Sequence, residues 1–116
     1  MSSSAAEEKQ TGGGLELKLA VVTGGNSGIG FETCSQLLEL NYRVVMCCRS
    51  LEKGNHAREA IQKRGIDISK LFLIQLDLAD LDNVDSFRGR FDETLGKETP
   101  IDALILNAGL FSKFVS

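Results

Sequence analysis

The chain predicts a doubly wound α/β fold, four parallel strands with three helices, on three observations. Apolar runs recur at residues 17–22, 44–48, 71–76 and 101–106. They are of strand length and too continuously apolar for a sheet wetted on one face. Stretches with helical spacing of apolar residues separate them, and the first run passes straight into the glycine turn Thr23-Gly24-Gly25-Asn26-Ser27-Gly28-Ile29-Gly30. Strand and helix therefore alternate, and right-handed crossovers leave few ways to order such strands.

The first strand is expected over residues 15–22, polar-alternating at first and then wholly apolar. The turn after it joins strand to helix. Gly24 is placed to turn the chain sharply, Gly28 to let a ligand approach the backbone, and Gly30 to let the helix lie close to its strand. A helix opening at about Gly28 aims unsatisfied N–H groups and the positive end of its dipole at whatever sits in the turn, so an anion belongs there. The spacing is Thr-Gly-x-x-x-Gly-x-Gly rather than Gly-x-Gly-x-x-Gly, and the strand–turn–helix setting is what gives it weight.

Gly30, Cys34, Leu37 and Leu38 then form one helical face, and Asn41 suits the helix end. The second strand, residues 44–48, is followed by Arg49-Ser50 and a helix with Ala57, Ala60 and Ile61 on its inner side. The third strand ends at Asp77. Asp80 is placed to cap the next helix, Asp82 and Asp85 to complement its dipole, and Val84, Phe87, Phe91 and Leu95 to face the core. Gly96 stops that helix, Pro100 marks the loop, and residues 101–106 form the fourth strand before Asn107-Ala108-Gly109. Residues 1–14, rich in Ser, Glu and Gly, read as a tail, and 112–116 as a short stub.

Composition narrows the functional classes. A net charge of −3 offers no basic stripe for nucleic acid. The sequence shows neither a bilayer-length apolar stretch nor a signal-peptide core, so a cytoplasmic chain is expected. Cys34, Cys47 and Cys48 lack metal-ligand spacing, and no metal site is expected. We read the three as packed thiols, with the adjacent pair on opposite faces of its strand. His56, alone on a polar helix, reads as a surface residue.

The Gly turn, Arg49, Asp77 and Asn107 all follow the carboxyl ends of strands, where ligands bind such sheets. With these residues assembled, residues 15–111 resemble the N-terminal half of a short-chain dehydrogenase/reductase, in the retinol-dehydrogenase-like and WW-domain-oxidoreductase-like branch. The residues carrying the resemblance are Thr23-Gly24-x-x-x-Gly28-x-Gly30, Cys48-Arg49 followed by Glu52-Lys53-Gly54, Asp77-Leu78, and Asn107-Ala108-Gly109. Leu106 stands where many members have a further Asn.

The resemblance implies a partial Rossmann-type sheet, with the C-terminal half of the family fold absent, and carbonyl–alcohol oxidoreduction with a dinucleotide cofactor. It places the diphosphate on the turn, with Gly24, Asn26, Ser27, Gly28, Ile29 and Gly30, the adenine beside Asp77 and Leu78, and the adenosine ribose beside Asn107, Ala108 and Gly109. Cofactor choice also follows from charge: an acid after the second strand would bind a ribose 2′-hydroxyl and repel a 2′-phosphate, so Arg49, helped by Lys53, favours NADP(H).

Members of the family move the proton with a Tyr-x-x-x-Lys pair. The sole tyrosine here, Tyr42, has Met46 at the Lys offset and reads as structural, so no catalytic residue is assigned. Two classes follow: the cofactor-binding portion of an oxidoreductase, truncated and inactive alone, or a non-catalytic nucleotide-binding module that pairs with a full-length relative. The resemblance also puts residues 101–106 at a sheet edge. With neither Pro nor Lys to discourage pairing, that edge invites self-association and leaves stability marginal. The substrate, whether retinoid, steroid or another carbonyl, belongs by the same resemblance to the absent half.

Overall fold

A computed structural model describes residues 17–107. The expected tail and stub, together with Ala108 and Gly109, lie outside the described residues. The elements run β1 (Leu19–Thr23), α1 (Gly28–Glu39), β2 (Arg43–Cys48), α2 (Leu51–Lys63), β3 (Leu71–Gln75), α3 (Leu81–Leu95) and β4 (Ala103–Ile105). All pairings are parallel and, among the described residues, the strand order is β3-β2-β1-β4, which puts β4 at an edge as the resemblance implies.

The alternation of a doubly covered strand is plainest in β2. Val44 and Met46 join a core with Cys34 and Leu38 of α1 and Ala57 and Ile61 of α2. Val45 and Cys47 point the other way, into a core with Phe91 of α3. Thus α1 and α2 cover one face and α3 the other. Ile61 and Met46 have no exposed surface, and each such side chain contributes roughly 1.5–3 kcal/mol through burial.

The helix ends behave as their residues require. Ser50 caps α2 by accepting the Lys53 N–H at 3.2 Å, and Asp80 caps α3 through the N–H groups of Asp82 and Asn83. Asn41 follows α1 with a φ of 71°, and Gly96 closes α3 with a φ of 100°. Across the surface, Arg64 holds Glu32 of α1 with two hydrogen bonds of 3.0 and 2.8 Å.

Several sequence expectations need correction. The fourth strand is shorter than residues 101–106, for a reason visible at both ends. At its start, Leu19 donates to the Asp102 carboxylate at 2.8 Å, so a side chain replaces a ladder carbonyl. At its end, Asn107 donates to the Thr23 hydroxyl instead of a backbone acceptor. Among the described residues the first strand likewise begins at Leu19 rather than at Leu17, the main chain of Lys18 and Leu17 being held by Arg43. Ala60, expected on the inner side of α2, is exposed, and Gly54 is buried there beside Ala57 and Ile61. Val84 is 37% exposed, leaving Phe91, flanked by Phe87 and Leu95, to seat α3. Asp85 stands beyond the first turn of α3, where Asp82 is the acidic residue.

Candidate functional site

The carboxyl ends of the four strands open on a cleft of about 690 Å³. Its floor is the turn between β1 and α1, including Gly24, Asn26, Ser27, Gly28 and Ile29. Arg49, Ser50 and Lys53 form one wall, Leu76 to Ala79 another, and Asn107 closes the side next to β4. Ten expected site residues therefore share one cleft: Gly24, Asn26, Ser27, Gly28, Ile29, Arg49, Lys53, Asp77, Leu78 and Asn107.

Gly30, the eleventh described candidate, is buried behind the floor. A Cβ there would overlap the Gly24 carbonyl oxygen and the Asn107 side-chain amide. The sequence reading placed the close approach between helix and strand; it lies instead between the helix, its own turn and the end of β4. Gly25 carries a packing constraint the reading missed, since a Cβ would lie 2.6 Å from Met46 Cγ. Gly28 differs from both. Its φ is +60° and a Cβ would meet nothing within 4 Å, so the side of the backbone that a methyl would fill is open.

The start of α1 is prepared for negative charge. Ser27 occupies the N-cap position without a side-chain capping bond, and no acidic residue lies in the first turn. The starts of α2 and α3 are capped by their own side chains and carry Glu52 and Asp82 in their first turns. An uncapped start exposes N–H donors and the positive end of the helix dipole to an anion. With the open cradle at Gly28, this fits the diphosphate of a dinucleotide.

The remaining walls are shaped by hydrogen bonds. Asp77 Oδ1 accepts the Ala79 N–H at 3.0 Å, folding the chain after β3 into a tight turn that leaves Leu78 45% exposed. Thr23, 5% exposed, accepts the Asn107 N–H at 2.8 Å and thereby joins the ends of β1 and β4. This residue was legible only as the start of the turn; its bridging role depends on the β1–β4 pairing. Leu106 is 71% exposed.

The thiols fit the packed reading. Burial pushes Cys34 and Cys47 up to about 12, and Cys48 in the same direction. Thiols so far from ionisation are poor nucleophiles. Cys47 and Cys48 border the cleft floor, yet their residues are 1% and 2% exposed. Tyr42 packs against the α1–α2 core, as expected of a structural residue. His56 is exposed. Among the described residues no group of three or more His, Cys, Asp or Glu could hold a metal ion, and no helix is long and apolar enough to cross a membrane.

Comparison with known proteins agrees with this fold. The chain is 41% identical to human dehydrogenase/reductase SDR family member 13 over 86% of its length, covering 26% of that protein. It is 40% identical to mouse retinol dehydrogenase 11 over 80% of its length, covering 28% of the relative. Chicken WW domain-containing oxidoreductase is 35% identical over 93% of the chain, with 25% of the relative covered. The chain thus spans about a quarter of the length of these relatives.

Among solved structures, menthone neomenthol reductase from Mentha piperita superposes with a TM-score of 0.69 at 29% identity, over 87% of this chain and 38% of that one. An actinorhodin polyketide ketoreductase solved with NADPH superposes at 0.64 with 25% identity, over 78% and 33% of the two chains. The family described as short chain dehydrogenase matches residues 18–116, a span that takes in every strand and helix around the cleft. The chain belongs to the short-chain dehydrogenase family.

Proposed function

We propose that the cleft binds NADP(H) and that this chain is the cofactor-binding portion of a carbonyl–alcohol oxidoreductase. The observation that carries the cofactor choice is Arg49, exposed on the cleft wall directly after β2, with Lys53 on the same wall. A 2′-phosphate is attracted there, whereas an acid at that position would repel it. The turn at Gly24–Gly30 and the N–H groups of α1 hold the diphosphate, Asp77 and Leu78 border the adenine, and Asn107, with Ala108 and Gly109 after it, lines the adenosine ribose. The NADPH of the ketoreductase neighbour supports the same reading. When bound, the cofactor supplies hydride exchange with a carbonyl carbon.

The chain's own residues bind and orient, and its sole tyrosine, Tyr42, has Met46 where the family's proton-moving pair requires Lys. We propose that this polypeptide alone binds cofactor without turning it over. General acid–base catalysis contributes about 10²–10⁴-fold, and loss of substrate positioning removes more. We propose further that it self-associates along β4.

Fluorescence titration with NADPH and NADH tests the cofactor choice. A charge-assisted hydrogen bond is worth about 1.5–3 kcal/mol, so NADPH should bind roughly tenfold to a hundredfold tighter, and Arg49→Ala should abolish the difference. Equal affinities in the parent chain overturn the choice. Steady NADPH oxidation with a retinoid or steroid carbonyl, by purified protein, overturns the second proposal.

A further inference from the structure

Gln75, the last residue of β3, is held from two sides. Its side-chain Nε2 donates to the Arg49 carbonyl at 2.9 Å, while its own carbonyl accepts from the Arg90 guanidinium. The ladder between β2 and β3 ends where Leu76 donates to Cys48 O at 2.9 Å, so the Gln75 amide adds one more rung, made by a side chain. Arg90, on α3, also donates to Asn83 O at 2.7 Å and to Ser86 Oγ at 3.2 Å. Asn83 Oδ1 in turn accepts the Asp77 N–H at 2.7 Å. Gln75, Asn83 and Arg90 are all partly buried, and none of the three lines the cleft.

We propose that Gln75 and Arg90 are positioning residues for cofactor selectivity: they clamp the wall carrying Arg49 to the wall carrying Asp77, and so fix the Arg49 backbone from which the guanidinium reaches toward a 2′-phosphate. The inference rests on the cofactor reading above and goes beyond it. Arg49 stands on a turn between strand and helix, and its side chain is long and exposed. Selectivity from such a residue depends on how little freedom is lost when the phosphate arrives. Anchoring its carbonyl fixes the backbone from which the side chain departs, and so removes the main-chain share of that freedom beforehand. The anchor is in turn held by a charged donor, stronger than a neutral one. A guanidinium spans two carbonyls through its fork, which a Lys ammonium at the same place cannot reproduce.

The test is the ratio of NADH to NADPH dissociation constants, measured on the full chain with a thermal melt of each variant. Gln75→Met keeps length and removes the donor. It is expected to lower the ratio about threefold to tenfold, by weakening NADPH while leaving NADH nearly unchanged. Arg90→Lys is expected to lower it in the same direction. In an Arg49→Ala background, Gln75→Met should change the ratio no further. If Gln75→Met does not melt cooperatively, Gln75→Asn, one methylene too short to reach, replaces it with the same expectation. A ratio unmoved in folded variants, or an equal loss for both nucleotides, overturns the clamp while leaving the cofactor reading standing. A parent chain that binds neither nucleotide overturns the cofactor reading, and the positioning role with it.

Discussion

Asn107 donates its backbone N–H to the buried hydroxyl of Thr23 at 2.8 Å, across 84 positions of sequence. One hydroxyl therefore ties the end of β1, where the glycine turn begins, to the end of β4. The cleft's floor and its far side are held together there. Thr23→Val keeps the shape and leaves the Asn107 N–H without this acceptor, a cost of about 1–3 kcal/mol. Thr23→Ser keeps the hydroxyl and should lose less. Urea midpoints at unchanged slope measure the difference, and equal midpoints for the two variants would refute the bridge.

Gly28 and Gly30 should separate binding from stability. A methyl on Gly30 overlaps the Gly24 carbonyl and the Asn107 amide, and overpacking of this kind costs about 1–3 kcal/mol. A methyl on Gly28 meets no protein atom. Its stability cost is the left-handed backbone alone, about 1–2 kcal/mol, while it occupies the open side of the backbone proposed above to receive the diphosphate. Gly28→Ala is therefore expected to lose nucleotide affinity out of proportion to its melting temperature, and Gly30→Ala to lose both together. Paired melts and titrations report each; a Gly28→Ala chain that binds as the parent does would remove the diphosphate from that position.

The buried thiols make stability fall in alkali. Cys34 and Cys47 ionise near 9.0 when solvated and are pushed up to about 12 by burial in the fold. The folded chain keeps its thiol protons where the unfolded chain releases them, so the unfolded state is favoured progressively as pH rises. Their contribution is whole below about 9 and is lost toward about 12. Denaturant midpoints should be level in this respect from pH 7 to 8.5 and decline above 9. Replacing Cys34 and Cys47 by Ala should flatten that decline, and an unchanged slope in the double variant would assign it to other groups.

Along β4, β1 pairs with one edge, and among the described residues no strand pairs with the other. Leu104, on the same face as Val21 in the parallel register, is 59% exposed. An unprotected apolar edge favours pairing with a second copy. Sedimentation should show concentration-dependent association, and Leu104→Lys should shift it toward monomer. A parent chain that stays monomeric at high concentration would refute pairing along this strand.

The alternation of apolar strands with helices was legible because burial on both faces leaves a mark on every residue of a strand. β2 shows this best: Val44 and Val45 are wholly buried against opposite helices, and any sequence-local rule finds such a run. The cap Asp80 was legible for a similar reason, since a cap acts within its own first turn. Arg49, Asp77 and Asn107 could be placed near one another because parallel strands deliver their carboxyl ends to one edge. Ala60 and Val84 were misplaced because helical spacing gives a face without saying how far across it the sheet reaches.

By itself, then, the sequence determined the fold class, the order of elements, the glycine turn and the basic charge of Arg49 and Lys53 after the second strand. Each is set by the spacing or chemistry of residues close in the chain. Tertiary structure decided the length of β4, through Asp102 and Thr23, and the depth of Gly30 behind the floor. It also decided the grip of Gln75 and Arg90 on the cleft walls. The hydrogen bonds of Asp102, Thr23 and Gln75 among those contacts join residues from 15 to 84 positions apart, and in a flexible chain no local pattern selects such partners; only the sheet, by bringing strand ends together, makes each hydrogen bond outweigh the water it replaces.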